Sequence, residues 1–140
     1  MRRIIVIGCP GSGKTRLAMR LAAYTQKARL GHASVLPAAE MVRMATAAGA
    51  RALGVEHLVG SLEVGKRADL VVLDAGSPAL VPVYDAHSAL ASAAGRGDVR
   101  HVVVDGRLVV EDRRCLTVDV ARAAAEVRRL APSIAAAVPG

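Results

Sequence analysis

The chain has 140 residues, enough for one domain with a core but too few for an eight-stranded α/β barrel, which needs roughly 200–250. Of its residues 53% are hydrophobic, yet Phe and Trp are absent and the aromatics are Tyr24 and Tyr84, so a core must be built from Ala, Val and Leu. The net charge is +7, with Arg supplying 16 of 19 basic residues, but these are scattered and bases would find almost no aromatic surface to stack on; nucleic-acid binding is not expected.

At the N-terminus, Arg2-Arg3 before four apolar residues and Gly8-Cys9 has the outline of a signal segment. The apolar stretch is shorter than the 7–15 residues a secretory core needs, and Lys14 follows closely. Cys9 and Cys115 form no paired framework, and no window of 18 uncharged apolar residues exists, so a cytoplasmic protein without a membrane-spanning helix is expected.

Residues 4–7 read as a strand closing at Gly8, and Leu17, Met19, Leu21 and Ala22 recur at helical spacing, making residues 1–26 a strand, loop and helix that ends near Gln26. A connector with a turn at Gly31 leads to Pro37, which suits a first helical turn. Glu40 favours the positive end of that second helix, and Met41, Val42, Met44, Ala45 and Ala48 give it an apolar face; residues 27–55 form this unit. Over residues 56–116 the period changes to two. Strands are expected at 62–64, 70–73, 102–104 and 108–110, with a short helix over 84–94. Asp105-Gly106 is a hairpin signal, because a type I′ turn needs two residues that tolerate positive φ. In residues 117–140, Thr117 can cap a last helix whose Val120, Ala124, Val127, Leu130 and Ile134 share a face, interrupted by Pro132.

Residues 8–15, GCPGSGKT, satisfy the GxxxxGK[ST] pattern in full. In such a loop the glycines Gly8, Gly11 and Gly13, with Ser12, let backbone N–H groups face a phosphate. Lys14 reaches the β- and γ-phosphates and the Thr15 hydroxyl holds Mg²⁺. With the flanking strand and helix, residues 1–26 resemble the opening of a nucleoside-monophosphate-kinase (adenylate-kinase-like) P-loop protein, which implies ATP or GTP with Mg²⁺ as ligand. A kinase also needs an acidic strand end to orient Mg²⁺, arginines at the transferring phosphoryl group and an acceptor pocket. Asp74 and Asp105, each after an apolar run, have the form of that acidic strand end.

A longer resemblance covers residues about 27–131. LPAAEMVRMATAAGARALGV resembles the last barrel helix of metal-dependent amidohydrolases, in their chlorohydrolase and nucleobase-deaminase branch; GSLEVGKRADLVVLD and VRHVVVDGRLVVEDRRCLTVD resemble the strands of that family's composite β-sandwich. It explains Asp74 and Asp105 as ends of sheet strands, and implies hydrolysis of carbon–nitrogen, non-peptide bonds by a water activated on zinc or iron. The family's ligands, a His-x-His pair, further histidines and an Asp, lie upstream of the matched portion. His32, His57, His87 and His101 fall where the resemblance offers no ligand, so they read as surface or turn residues and neither zinc nor iron is expected to bind. Cys115 has no His or acid placed by sequence to activate it.

The expected fold is therefore mixed α/β (α+β): a P-loop-like βα unit, a helix, a small β-sandwich-type sheet and a C-terminal helix, with no complete barrel. The expected function is that of an amidohydrolase C-terminal fragment without the metal-binding barrel and without catalysis of its own. The alternatives are a P-loop nucleotide-phosphate binder and a non-catalytic assembly module. Residues 3–7 can add to the sheet edge formed by 70–73 and 102–110, and a homodimer through an open edge is the other outlet for it.

Overall fold

A computed structural model describes residues 3–7 and 14–137. One open antiparallel sheet carries five strands in the order β1 (Arg3–Ile7), β2 (Leu70–Asp74), β3 (Val99–Val104), β4 (Arg107–Glu111) and β5 (Arg114–Cys115). The β-branched Val71 and Val72 of β2 and Val102, Val103 and Val104 of β3 supply side chains that pack on a pleated surface. Strand β1 occupies the edge beside β2, with Ile5 opposite Val72 and Ile7 opposite Leu70, which is the position open to residues 3–7 from sequence. Among the described residues the strands form a single sheet, so neither a closed barrel nor the second layer of a sandwich is present.

The expected hairpin is present. Val104 pairs with Arg107, and Asp105 and Gly106 between them have φ of 51° and 76°, the two positive values a type I′ turn requires. A second two-residue turn follows at Asp112-Arg113, φ 41° and 68°, between β4 and β5.

Helix α1 (Lys14–Leu30) runs four residues beyond the end read at Gln26 and stops where Gly31 takes φ 64°, a conformation that ends helices without a Cβ penalty. Lys27 and Arg29 in its last turn complement the negative end of the helix. The second helix is broken in two: α2 (Ala38–Ala45) and α3 (Ala47–Ala52) flank Thr46, whose hydroxyl donates to the Val42 carbonyl at 2.8 Å while its backbone leaves the helical region. Gly60 then passes so close that a Cβ there would lie 2.7 Å from Ala50 Cβ and 3.1 Å from Ala47 Cα.

Three local expectations are corrected. Residues 62–64 form no strand; Gly65 at φ 92° and the Lys66 N–H donating to the Glu63 carbonyl make a turn, and Val64 is fully exposed. Both sides of β2, the strand that follows, are filled by β1 and β3, so 62–64 cannot pair with it. The helix over 84–94 is shorter and wider, α4 (Ala86–Ser88) continuing as a π-turn through Ala89–Ala93. The last helix, α5 (Val120–Ala137), is capped by Asp119, which accepts the Arg122 N–H at 2.9 Å, rather than by Thr117.

Two small cores hold these parts. Ala23 of α1, Met41 of α2 and Ala91 pack together with Met19 and Leu36 around them; Leu73, Leu80 and Ala94 form the other, with Val71, Leu90 and Val99. Among the described residues no large side chain is fully buried, as expected of a core limited to small aliphatic residues.

Candidate functional site

Of the phosphate-loop residues, Gly8, Gly11, Ser12 and Gly13 lie outside the described residues; Lys14 and Thr15 open helix α1. A strand thus precedes residues 8–13 and a helix follows them, but β1 pairs antiparallel to β2. The βαβ arrangement typical of nucleotide-binding α/β folds sets its strands parallel, with acidic strand ends on the side from which the loop leaves. Here Asp74, at the end of β2, lies opposite Arg3 at the far end of β1. Its carboxylate sits 3.5 Å from Arg113 Nη2 and 3.9 Å from Arg100 Nη1 and accepts the Gly76 N–H at 3.1 Å. Asp105 does fall at the Ile7 end, through the pairs Ile7–Leu70 and Leu70–Val103, but it is folded into the hairpin turn with Oδ1 3.8 Å from Arg67 Nε. Both carboxylates are engaged in holding the sheet.

The histidines do not converge. His32 Nδ1 is 2.8 Å from Ser34 Oγ, His87 is 3.6 Å from Asp85, and His57 is exposed in the turn after α3. His101, on β3, accepts the Asp112 N–H at 3.4 Å and lies 3.8 Å from that residue's carboxylate. Among the described residues no three His, Cys, Asp or Glu side chains are grouped to hold a metal. A tetrahedral zinc site takes at least three protein ligands. The described residues do not fit zinc or iron.

A cavity of about 300 Å³ opens between the 79–85 segment and the short helix, walled by Leu80, Val81, Val83, Tyr84, Ala89 and Ala93. Among its polar groups, Asp85 and Ser88 satisfy one another. Asp85 caps the helix by accepting the Ser88 N–H at 2.7 Å, and hydrogen bonds from Ser88 hold its carboxyl below the usual range. Cys115 has Sγ 3.6 Å from Thr117 Oγ1; that hydroxyl and neighbouring backbone N–H groups hold the thiol below its usual range, but its partner is a hydroxyl and not a base. These groups can bind and position. They do not assemble a nucleophile, a base and an acid.

Two buried carboxylates escaped the sequence reading because one partner of each, Asp105 and Ser77, is remote in the chain. Asp69 accepts the Asp105 N–H at 2.7 Å, tying the start of β2 to the hairpin turn 36 residues on. Asp98 accepts from the Ser77 hydroxyl and from the Gly95 N–H at 2.7 Å, fastening the loop after β2 to the start of β3. No local signal marks either residue.

Comparison with known proteins returns one family. Residues 4–109 match the amidohydrolase family, a match that begins within the segment bearing the phosphate-loop motif. A 5-methylthioadenosine/S-adenosylhomocysteine deaminase of Syntrophobacter fumaroxidans is 46% identical over 129 residues, covering 91% of this chain and 30% of that protein. A 5'-deoxyadenosine deaminase of Methanosarcina mazei is 35% identical over 133 residues, covering 94% and 30%. Among solved structures, an adenosine deaminase from Xanthomonas campestris with bound zinc superposes with a TM-score of 0.80 at 37% identity, over 86% of this chain and 28% of that one. Atrazine chlorohydrolase from Arthrobacter aurescens gives 0.64 at 30% identity, over 84% and 25%. The chain thus spans less than a third of the length of these relatives.

Proposed function

Because this chain belongs to the amidohydrolase family, we propose that it is the sheet-and-helix segment of a deaminase acting on adenosine-type nucleosides, contributing scaffold to an active site whose metal ligands it does not carry. One combination of facts supports this above all others. At 46% identity the segment aligns along 91% of its length with 30% of a deaminase, and its described residues group no three metal-binding side chains. The reaction in the whole enzyme is hydrolysis of an exocyclic carbon–nitrogen bond: water adds to the ring carbon and ammonia leaves. On its own the chain binds no stoichiometric zinc or iron and releases no ammonia. No helix among the described residues is long and apolar enough to cross a membrane.

The test is elemental analysis of the purified chain together with ammonia-release assays on 5-methylthioadenosine, S-adenosylhomocysteine and a chlorotriazine. A metal content near one per chain with turnover abolished by chelation would overturn the proposal. Nucleotide binding at residues 8–15 is the second proposal, carried by the complete motif alone. The antiparallel pairing of β1 weighs against it.

A further inference from the structure

Helix α5 is solvated on every side: of residues 120–136, all but Ala124 are exposed. A helix of 18 residues without packing is marginal in water, and more so with Pro132 inside it, so α5 needs a surface to lie on. Its apolar residues are spaced for one. Val120, Val127 and Ile134 recur every seven residues, and Ala123 and Leu130 follow the first two by three, which is the pattern of a two-helix seam. The four large side chains of that seam, Val120, Val127, Leu130 and Ile134, are 38–66% exposed. At about 100° per residue, Arg122, Arg128 and Arg129 fall on the flanks and back of the helix. Pro132 falls at the back too, where the Arg128 carbonyl it cannot bond meets water.

We propose that α5 pairs antiparallel with α5 of a second copy of this chain, about a two-fold axis between residues 128 and 129. Size complementarity selects this direction. The axis sets Ile134 of each copy on Ala123 of the other and Val127 on Leu130, so the bulkiest seam residue meets the smallest. Parallel pairing would instead set Ile134 on Ile134 and Ala123 on Ala123, crowding one layer and leaving a gap in the other.

Charge permits the pairing although each copy carries a net +7. The three arginines of the helix lie away from the seam, and Arg129 is already held by Glu126, to which its Nε donates at 3.0 Å. Glu126 borders the seam and comes beside Ser133 of the other copy, so no two like charges oppose each other across it. The helix is about 27 Å long, and eight large side chains with the alanines between them bury on the order of 1,000 Å² in total. That is the lower end for a specific interface, so the dimer is weak and depends on concentration.

Sedimentation equilibrium of the purified chain from roughly 1 to 200 μM tests this, with circular dichroism on the same samples. The expected result is a monomer at the low end, a dimer at the high end, and helix content that rises with it. Val127→Glu and Leu130→Lys, each alone, weaken the dimer at least about tenfold, because each buries two unpaired charges at the seam. Both positions are exposed in the single chain, so its melting temperature is unchanged by either. Mixing the two variants restores association to within about threefold, since the antiparallel axis puts Glu at 127 of one copy against Lys at 130 of the other. A chain that stays monomeric throughout would overturn the proposal. A dimer indifferent to both substitutions would place the contact elsewhere, at the open sheet edge, and refute it. Variants that dissociate alone and do not associate when mixed would refute the antiparallel register.

Discussion

Asp69→Ala is the substitution that most directly probes how the sheet is held. The Asp69 carboxylate is buried and accepts the Asp105 N–H at 2.7 Å, while the neighbouring Ala68 carbonyl accepts the Gly106 N–H at 3.0 Å; together they fix both residues of the hairpin turn to the start of β2. A hydrogen bond to a charged group contributes about 1.5–3 kcal/mol. Asp105 is exposed enough for water to replace part of that bond, which places the expected loss near the lower end, about 1.5–2 kcal/mol. For a chain of this length that corresponds to a fall in melting temperature of roughly 6 °C. Asp69→Asn keeps an acceptor oxygen and loses the charge, so about half the effect is expected. Thermal unfolding followed by circular dichroism gives the totals, and hydrogen exchange at the Asp105 and Gly106 amides locates them, both amides exchanging faster in the Ala variant. A loss below about 0.5 kcal/mol, or unchanged exchange at those amides, would refute the assignment of Asp69 as the anchor of the turn.

Gly60→Ala and Gly65→Ala separate crowding from backbone strain: both glycines have strongly positive φ, but only Gly60 faces another atom within 3 Å, so urea unfolding is expected to show an additional cost of about 1–3 kcal/mol for Gly60→Ala. Equal costs would show that the contact between Gly60 and Ala50 is slack. Asp85, held below its ordinary value of 3.8 by Ser88, stabilises the helix over 86–93 at neutral pH. Because the folded value is the lower one, that contribution is present above 3.8 and is lost as pH falls through the lowered value; a proton titration of the Ser88 amide should show this, and Asp85→Asn should abolish it. Calorimetric titration of ATP and GTP with Mg²⁺ is expected to find binding no tighter than about millimolar and dependent on Lys14. Micromolar affinity abolished by Lys14→Ala would establish residues 8–15 as a nucleotide site.

The sequence by itself determined the elements whose signals are local. Alternating β-branched residues gave β2, β3 and β4, the Asp105-Gly106 pair gave the turn between the last two, and the helical spacing of Leu17, Met19 and Leu21 gave α1. It also carried the family, because the words GSLEVGKRADLVVLD and VVVDGRLVVED keep both order and spacing, and residues 4–109 match the amidohydrolases. Whatever depends on pairing was decided only in three dimensions. A strand pattern at 62–64 had no place beside β2 once β1 and β3 had taken both its sides, and Thr46 broke a helix whose apolar face continued past it. The glycine-rich motif is a local pattern as well, but strand direction is not, and β1 runs antiparallel to its neighbour. Asp69 and Asp98 show the same division. A single Asp in a sequence carries no mark of whether its partner lies three residues away or 36; only the fold, by bringing a remote backbone N–H within 3 Å of a carboxylate, gives such a residue its role.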